Sequence, residues 1–220
     1  MRDFIGQLVA GGFYTEPEIV QHAVDYLGDE QPEDVLRPHA VLMTAEAISQ
    51  HLLDQKNWPA RTDCDRLDDA FAELDESGII SRQNFSCCGN CGSYEIGDEM
   101  RQAMSDGRKV RGYTFYHMQD TDSAVEGGGV FLAYGSVDEL QKAHVNIGHE
   151  IVKVLKRHTL RPEWDGSLQK RIKVPLDWKR RRFTPIPPNL YKHWPKIVKL
   201  LREGELVYGD TTASRRRTSF

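Results

Sequence analysis

The sequence predicts an α+β protein, with an N-terminal helical layer followed by a ferredoxin-like split βαβ antiparallel sheet that carries its helices on one face. Two observations lead to this class. Apolar residues recur at helical spacing through the first 78 residues. From residue 79 onward, short β-branched and aromatic segments alternate with amphipathic ones in the order β α β β α β β.

Three amphipathic helices are expected in the first 78 residues. The segments EPEIVQHAVDYL and DVLRPHAVLMTAEAISQHLLDQKNW carry apolar stripes, and the second helix is predicted to start after Pro38. The third segment, TDCDRLDDAFAELDESG, offers Thr62 or Asp63 as its N-cap and Gly78 as its stop. We expect this region, 1–78, to form one compact unit with the domain that follows.

An α+β domain is predicted over residues 79–182. Strands are expected at GIISRQNF, VRGYTFYHM and GVFLAYG, helices at SYEIGDEMRQAM and SVDELQKAHVNIGHEIVKVLKRH, and two short strands around Asp165-Gly166. The first two strands of such a sheet run parallel, so their ends emerge at the same edge. The cysteine cluster and the segment after VRGYTF would share that edge, about 10 Å apart across one intervening strand.

Residues 183–220 are predicted to be a Pro-rich spacer, a short helix and a basic, disordered tail.

The net charge of −4 is unevenly divided: residues 161–220 hold 15 Lys and Arg against 6 Asp and Glu, and the rest of the chain holds 14 against 27. A basic end on an acidic body suits a protein partner or attraction between the two parts. Nucleic acid is less favoured; its candidate contacts are Lys179, Arg180, Arg181 and Arg182.

A cytoplasmic protein without a membrane partner is expected. No run approaches the ~18 apolar residues that cross a bilayer. The N-terminal segment MRDFIGQLVAGGFYTEPE has too short an apolar patch and too early an acid for a signal peptide. In that compartment, four cysteines of which three are clustered are expected to be reduced thiols or metal ligands, because neighbouring cysteines do not staple distant segments.

Four segments carry a resemblance to a known family. WPARTDCDRLDDAFAELDESGIISRQNFSCCGNCGSYEIGDE, GYTFYHMQDT, GGGVFLAYG and RPEWDGSLQKRIKVPLDWKRRR resemble an uncharacterised bacterial family, a domain of unknown function found in hypothetical proteins. The resemblance spans residues 57–182, extends more loosely through the N-terminal helices, and leaves out the segment after Arg182. It implies a domain extent and a bacterial cytosolic setting, and it implies no mechanism.

The stretch RQNFSCCGNCGSYEIGDE is the predicted site, because it packs three of the four cysteines into five positions. Cys88-Gly-Asn-Cys91-Gly has the spacing of a zinc knuckle, in which a tight turn directs two sulfurs to one ion. Structural zinc takes four ligands, and the sequence has no second CxxC. The candidates that join Cys88 and Cys91 are Cys87 and Cys64, with His117 and Glu95 as further options.

Two other interpretations of the cysteines stay open. A strand, a CxxC motif and a helix also form a thioredoxin-like layout, in which the helix N-terminus stabilises a thiolate. Here the helix is predicted to begin near Ser93, after the cysteines, and the acids Glu95, Asp98 and Glu99 are expected to raise the pKa of a nearby thiol. The plainer interpretation is that the cysteines are buried or idle in a glycine-bearing turn.

His117 and Asp120 are the candidate catalytic residues. A histidine at a strand end and an aspartate three residues later can form an acid–base pair, although the aspartate also suits a helix cap. The predicted function is a small domain with a cysteine-based zinc site at a strand-to-helix turn. The alternatives are an adaptor or immunity-like protein-binding module, an enzyme that uses His117, Asp120 and the cysteines, and a thiol redox protein.

Overall fold

The computed structural model describes residues 1–182, so the spacer, helix and tail predicted over 183–220 lie outside the described residues. The described chain forms two compact units. The first contains residues 1–57 together with residues 181 and 182, and the second contains residues 58–180.

The first unit contains three helices: α1 (Arg2–Gly11), α2 (Glu16–Leu27) and α3 (Glu33–Gln55). Their shared core is made of Ile5, Val9, Ile19, Val20, Ala23, Val24, Leu36, Ala40 and Ile48. The predicted start of α3 after Pro38 is wrong, because this proline lies inside the helix. Leu36 and Ala40 are buried on either side of it, and their burial offsets the roughly 3 kcal/mol cost of an internal proline.

The second unit contains four helices and a four-stranded sheet. In chain order these are α4 (Asp63–Glu76), β1 (Ile79–Arg82), α5 (Gly89–Ser105), β2 (Gly112–Phe115), α6 (Met118–Val125), β3 (Val130–Ser136), α7 (Gln141–Arg157) and β4 (Ile172–Val174). Helix α4 lies within the predicted 1–78 region of the sequence and is part of this second unit. Two short strands were predicted around Asp165-Gly166. The structure has one of them as β4, and in place of the other it has a single bridge between Glu163 and Lys173 of β4.

Helix α4 begins at the predicted cap. The Thr62 hydroxyl accepts a hydrogen bond from the Asp65 N–H at 3.2 Å, and the Asp65 carboxylate accepts one from the Thr62 N–H at 2.7 Å. After the helix, Gly78 has a φ of +89°, and a Cβ at this position would lie 2.4 Å from the Lys109 carbonyl oxygen. This glycine therefore lets the chain turn tightly into β1.

The α+β class is confirmed, but the sheet is mixed rather than antiparallel. The strand order is β1-β2-β3-β4, with β1 and β2 parallel and the other pairs antiparallel. The predicted split βαβ topology is wrong, because β1 and β2 are direct neighbours. Parallel neighbours need a crossover connection, and α5 provides it between these two strands. No strand lies between β1 and β2, although one was predicted to separate them.

Helices cover both faces of the sheet, so the prediction of helices on one face is wrong. Ile80 packs with Ile96 of α5 in one cluster. On the opposite face, a Cβ at Gly112 would lie 3.0 Å from Ile147 of α7. Successive strand residues point to opposite faces, and Ile79 and Ile80 are both fully buried. Strand β1 therefore requires an apolar cover on each side.

Candidate metal centre

Three cysteine sulfurs meet where the chain passes from β1 to α5. The Sγ atoms of Cys87, Cys88 and Cys91 all lie within 4.8 Å of one another. None of them is in a disulfide; Cys87 and Cys91 are exposed and Cys88 is half-buried. Zinc binds thiolate sulfur at about 2.3 Å, which sets the sulfurs of a tetrahedral site roughly 3.8 Å apart. The three sulfurs are therefore close to the spacing that a single bound ion requires.

Helix α5 starts earlier than predicted, and this places the cysteines on its first turn. Cys88 is the N-cap, with extended backbone angles of φ −158° and ψ 172°, and Gly89 is the first helical residue. The Gly92 N–H donates to the Cys88 carbonyl oxygen at 2.9 Å, which closes the first turn. The predicted start near Ser93 is therefore wrong, and Cys88 and Cys91 are the N-cap and third residue of a 17-residue helix.

The thiols of Cys88 and Cys91 at the start of α5 differ in pKa. The nearby backbone N–H groups of Cys91 and Asn90, together with the neighbouring thiols of Cys91 and Cys87, lower the pKa of Cys88. Hydrogen bonds to the sulfurs of Cys87 and Cys88, and repulsion between them, raise the pKa of Cys91 to about 11. The metal-free turn thus places a thiol of lowered pKa, Cys88, beside a thiol of raised pKa, Cys91.

The acids that follow the cysteines are engaged with other groups. Glu95 accepts a hydrogen bond from the Ser86 hydroxyl at 3.0 Å, Asp98 pairs with Arg101, and Glu99 pairs with Arg82. The expected effect of these acids on a nearby thiol is not found: the pKa of Cys88 is lowered, and the pKa of Cys91 is raised by the sulfurs of Cys87 and Cys88. The backbone N–H groups and the neighbouring sulfurs, and not these carboxylates, account for the two shifts.

Backbone hydrogen bonds fasten the cysteine loop to the end of β2. The Phe85 N–H donates to the Tyr116 carbonyl oxygen at 2.8 Å, and the Met118 N–H donates to the Ser86 carbonyl oxygen at 3.1 Å. The cysteines and the segment after β2 therefore share one sheet edge, as predicted from the parallel strands. They lie closer than expected because no strand separates β1 from β2.

His117 lies beside the cysteine turn and is buried. A Cβ at Gly89 would lie 3.7 Å from its Nε2, and the same nitrogen lies 3.2 Å from both Asp120 Oδ2 and Arg171 Nη1. Burial lowers the pKa of His117; the charge of Asp120 opposes this decrease, and the smaller effect of the Arg171 charge adds to it. The imidazole is therefore neutral near pH 7, and it is not among the donor atoms of the three-sulfur group.

Asp120 is 3% exposed and acts as both cap and ion-pair partner. Its Oδ2 accepts the His117 N–H at 3.1 Å at the start of α6, and accepts Arg171 Nη1 at 2.9 Å. Arg171 also donates to the Phe131 carbonyl oxygen at 3.2 Å. Sequence reasoning missed Arg171, because it lies 51 residues from Asp120 and no local pattern marks it.

Comparison with known proteins places the chain in a family. Residues 1–182 match the model described as Domain of unknown function (DUF6891). The chain belongs to the DUF6891 family. The resemblance to a domain of unknown function is thereby confirmed, and the match includes the N-terminal helices and ends at Arg182. No curated protein and no solved structure matches the chain.

The fourth cysteine of this DUF6891 chain lies elsewhere in the second unit. Cys64 is buried on α4 and is not part of the three-sulfur group. Burial raises the pKa of its thiol to about 12, although Arg180 and the Lys179 N–H act in the opposite direction. The structure therefore brings together three of the four predicted metal-ligating cysteines.

Much of the basic run at the end of the DUF6891 match is used inside the fold. Arg180 donates to Asp68 at 2.7 Å and to Gln83 at 2.8 Å, and Lys179 pairs with Asp177 at 2.6 Å. Arg182 is buried in the first unit. Within residues 1–182, no helix is both long and apolar enough to cross a membrane.

Proposed function

We propose that the second unit is a zinc-binding domain of a cytoplasmic protein, in which Cys87, Cys88 and Cys91 hold one zinc ion at the β1–α5 turn. The observation that carries this proposal is the gathering of three sulfurs within 4.8 Å. Soft thiolate ligands select zinc, copper(I) or iron–sulfur clusters over hard cations. Unpaired cysteines also suit a reducing compartment, where thiols stay available to a metal.

Electrostatics supports a bound cation at this turn. In the metal-free turn, repulsion between sulfurs contributes to the raised pKa of Cys91. A divalent ion removes that repulsion, so Cys91 loses its proton when the ion binds, as thiol ligands of zinc do. The pKa of Cys88 is already lowered in the metal-free turn, so its sulfur gives up its proton to the ion more readily than an ordinary cysteine does.

Metal content of the full chain, purified without a polyhistidine tag, tests the proposal. We expect about one zinc per chain by elemental mass spectrometry, since one three-sulfur group is a single site. The Cys88→Ser/Cys91→Ser double variant is expected to lose the zinc and to melt at a lower temperature. The matched control, Cys64→Ala, is expected to keep it. Absence of zinc in the native chain, with unchanged stability of the double variant, would refute the proposal.

A second candidate is thiol–disulfide exchange, which one specific observation favours. Cys88 is the N-cap of α5, the nearby N–H groups of Cys91 and Asn90 lower the pKa of its thiol, and Cys91 follows within the first turn. In that chemistry the Cys88 thiolate attacks a substrate disulfide and releases one thiolate. Cys91 then displaces the second substrate sulfur and forms a Cys88–Cys91 disulfide. Metal-free native protein that reduces a small disulfide, and loses this activity in Cys88→Ser, would support this candidate.

A further inference from the structure

The proposed zinc centre faces outward. Cys87 and Cys91 are exposed, and Tyr94, one helical turn after Cys91, is 76% exposed. The opposite side of the same helical turn is covered, because Gly89 lies against His117 and Gly92 lies against Phe115. The sulfurs are therefore approached from solvent across the Cys91–Tyr94 face, and the fold closes the site only from the sheet side.

The donor set also differs from that of an enclosed structural zinc site. Structural sites surround zinc with four protein ligands, whereas sites with three protein ligands keep a position for an external one. Among the described residues 1–182, the group of donor atoms at this turn consists of three cysteine sulfurs and contains no histidine or carboxylate. The imidazole of His117 lies beside Gly89 in this turn, and its Nε2 is directed to Asp120 and Arg171.

We propose that this centre is an exchange site, which transfers its zinc ion to an acceptor that offers thiolates. The proposal rests on the zinc-binding function proposed above and adds a role for it: the ion is cargo that moves on by direct ligand substitution. The exposed face supplies the route for the acceptor, and the three-sulfur donor set supplies the coordination position at which the acceptor enters.

The transfer is a sequence of ligand substitutions without electron transfer. The first acceptor sulfur displaces the external ligand and releases its thiol proton to solvent. Each later zinc–sulfur bond to the acceptor replaces one zinc–sulfur bond to the protein, and the proton of that acceptor thiol passes to the released cysteine. The exposed sulfurs of Cys91 and Cys87 are the first to leave, because solvent and acceptor reach them directly. Zinc stays divalent throughout.

Stopped-flow spectroscopy of the cobalt(II)-loaded full chain tests the transfer. Cobalt(II) replaces zinc at thiolate sites and its sulfur-to-metal absorption reports the bound state, so uptake is measured first, by titration. The loaded protein is then mixed with increasing dithiothreitol, a dithiol acceptor. Dithiothreitol bound to cobalt(II) also has a sulfur-to-metal absorption, so transfer is followed as the change from the spectrum of the loaded protein to the separately recorded spectrum of the dithiothreitol complex. We expect the rate of this change to rise in direct proportion to dithiothreitol concentration, with the same rate in the Cys64→Ala control.

The outcomes separate the two proposals. A rate of spectral change that does not depend on dithiothreitol concentration would mean that the ion must leave before the acceptor binds. This result would overturn the exchange role while leaving the metal centre intact. Absence of a thiolate–cobalt absorption in the titration would overturn the metal centre itself. Both proposals are supported if the rate in the native chain is proportional to dithiothreitol concentration and the Cys88→Ser/Cys91→Ser variant takes up no cobalt.

Discussion

The imidazole of His117 lies in van der Waals contact with the position that a side chain would take at Gly89. A Cβ there would stand 3.6 Å from the ring Cδ2 and 3.7 Å from Nε2. At Gly92, three residues along α5, a Cβ would stand only 2.5 Å from a ring carbon of Phe115, and real atoms do not approach that closely. The start of α5 therefore requires a glycine at position 92 and tolerates a small side chain at position 89.

These two glycines provide a matched pair of alanine substitutions. Gly92→Ala is expected to lower the free energy of unfolding by about 1–3 kcal/mol, because helix and ring must move apart, and to weaken zinc binding. Gly89→Ala is expected to change stability by less than about 1 kcal/mol, since helix propensity favours alanine. Urea denaturation and zinc titration measure both effects. Equal losses in the two variants would show that contact with Phe115 does not set the position of the turn.

The thiols of the metal-free protein are expected to alkylate in a fixed order. Because the pKa of Cys88 is lowered, its reactive thiolate persists to a lower pH than that of an ordinary cysteine. Cys91, with a pKa raised to about 11, and Cys64, with a pKa raised to about 12, are expected to react later. Peptide mapping after iodoacetamide pulses between about pH 6 and 9 measures the order. Reaction of Cys91 ahead of Cys88 would contradict it.

The ion pair between Asp120 and Arg171 is expected to stabilise the site edge. Arg171→Met leaves the buried Asp120 carboxylate without its cation, at a cost of about 1–3 kcal/mol, less than for a fully buried pair because Arg171 is 41% exposed. Adding Asp120→Asn is expected to recover part of the loss. A double-mutant cycle measured by urea denaturation gives the coupling. The exposed Arg101 is the control, and Arg101→Met is expected to cost below about 0.5 kcal/mol.

The sequence predicted those features that depend on short stretches of chain. The Thr62 cap, the stop at Gly78 and the shared edge of the cysteines and His117 follow from local signals and from the parallel direction of β1 and β2. The early start of α5 could not be read in this way, because glycine favours turns. In the structure the Gly92 N–H closes the first helical turn on the Cys88 carbonyl oxygen, and the missing side chain leaves room for Phe115.

Strand order and long-range pairs were beyond local reasoning. The alternation of strands and helices along the chain is the same whether β1 and β2 are neighbours or are separated by another strand. The sequence pattern therefore did not distinguish the split βαβ topology from the observed strand order. Consecutive buried residues Ile79 and Ile80 were the signal for helices on both faces. The partnership of Asp120 with Arg171 has no such signal, since Arg171 lies 51 residues away in sequence and no local pattern marks it.

In the first unit, the charge of Arg182 acts on the carboxyl group of Glu16, and the protonation of Glu16 makes stability depend on pH. The Arg182 guanidinium donates to the carbonyl oxygens of Val9, at 3.2 Å, and Tyr14. Burial raises the pKa of Glu16 above its ordinary 4.5, and the charge of Arg182 opposes the increase without cancelling it. Folded Glu16 therefore holds its proton more tightly than unfolded Glu16, so stability is lost as the pH rises from about 4.5 through the raised pKa.

Glu16→Gln is expected to flatten this pH dependence and to raise stability at neutral pH, because the amide carries no charge to desolvate. Glu18→Gln is the matched control with the opposite sign. The pKa of Glu18 is lowered by the Thr15 N–H and hydroxyl, so its contribution is present at neutral pH and lost as the pH falls. Urea denaturation of both variants between about pH 4 and 8 measures the two slopes. Equal pH dependence of Glu16→Gln and the native chain would show that burial of this carboxylate carries no cost.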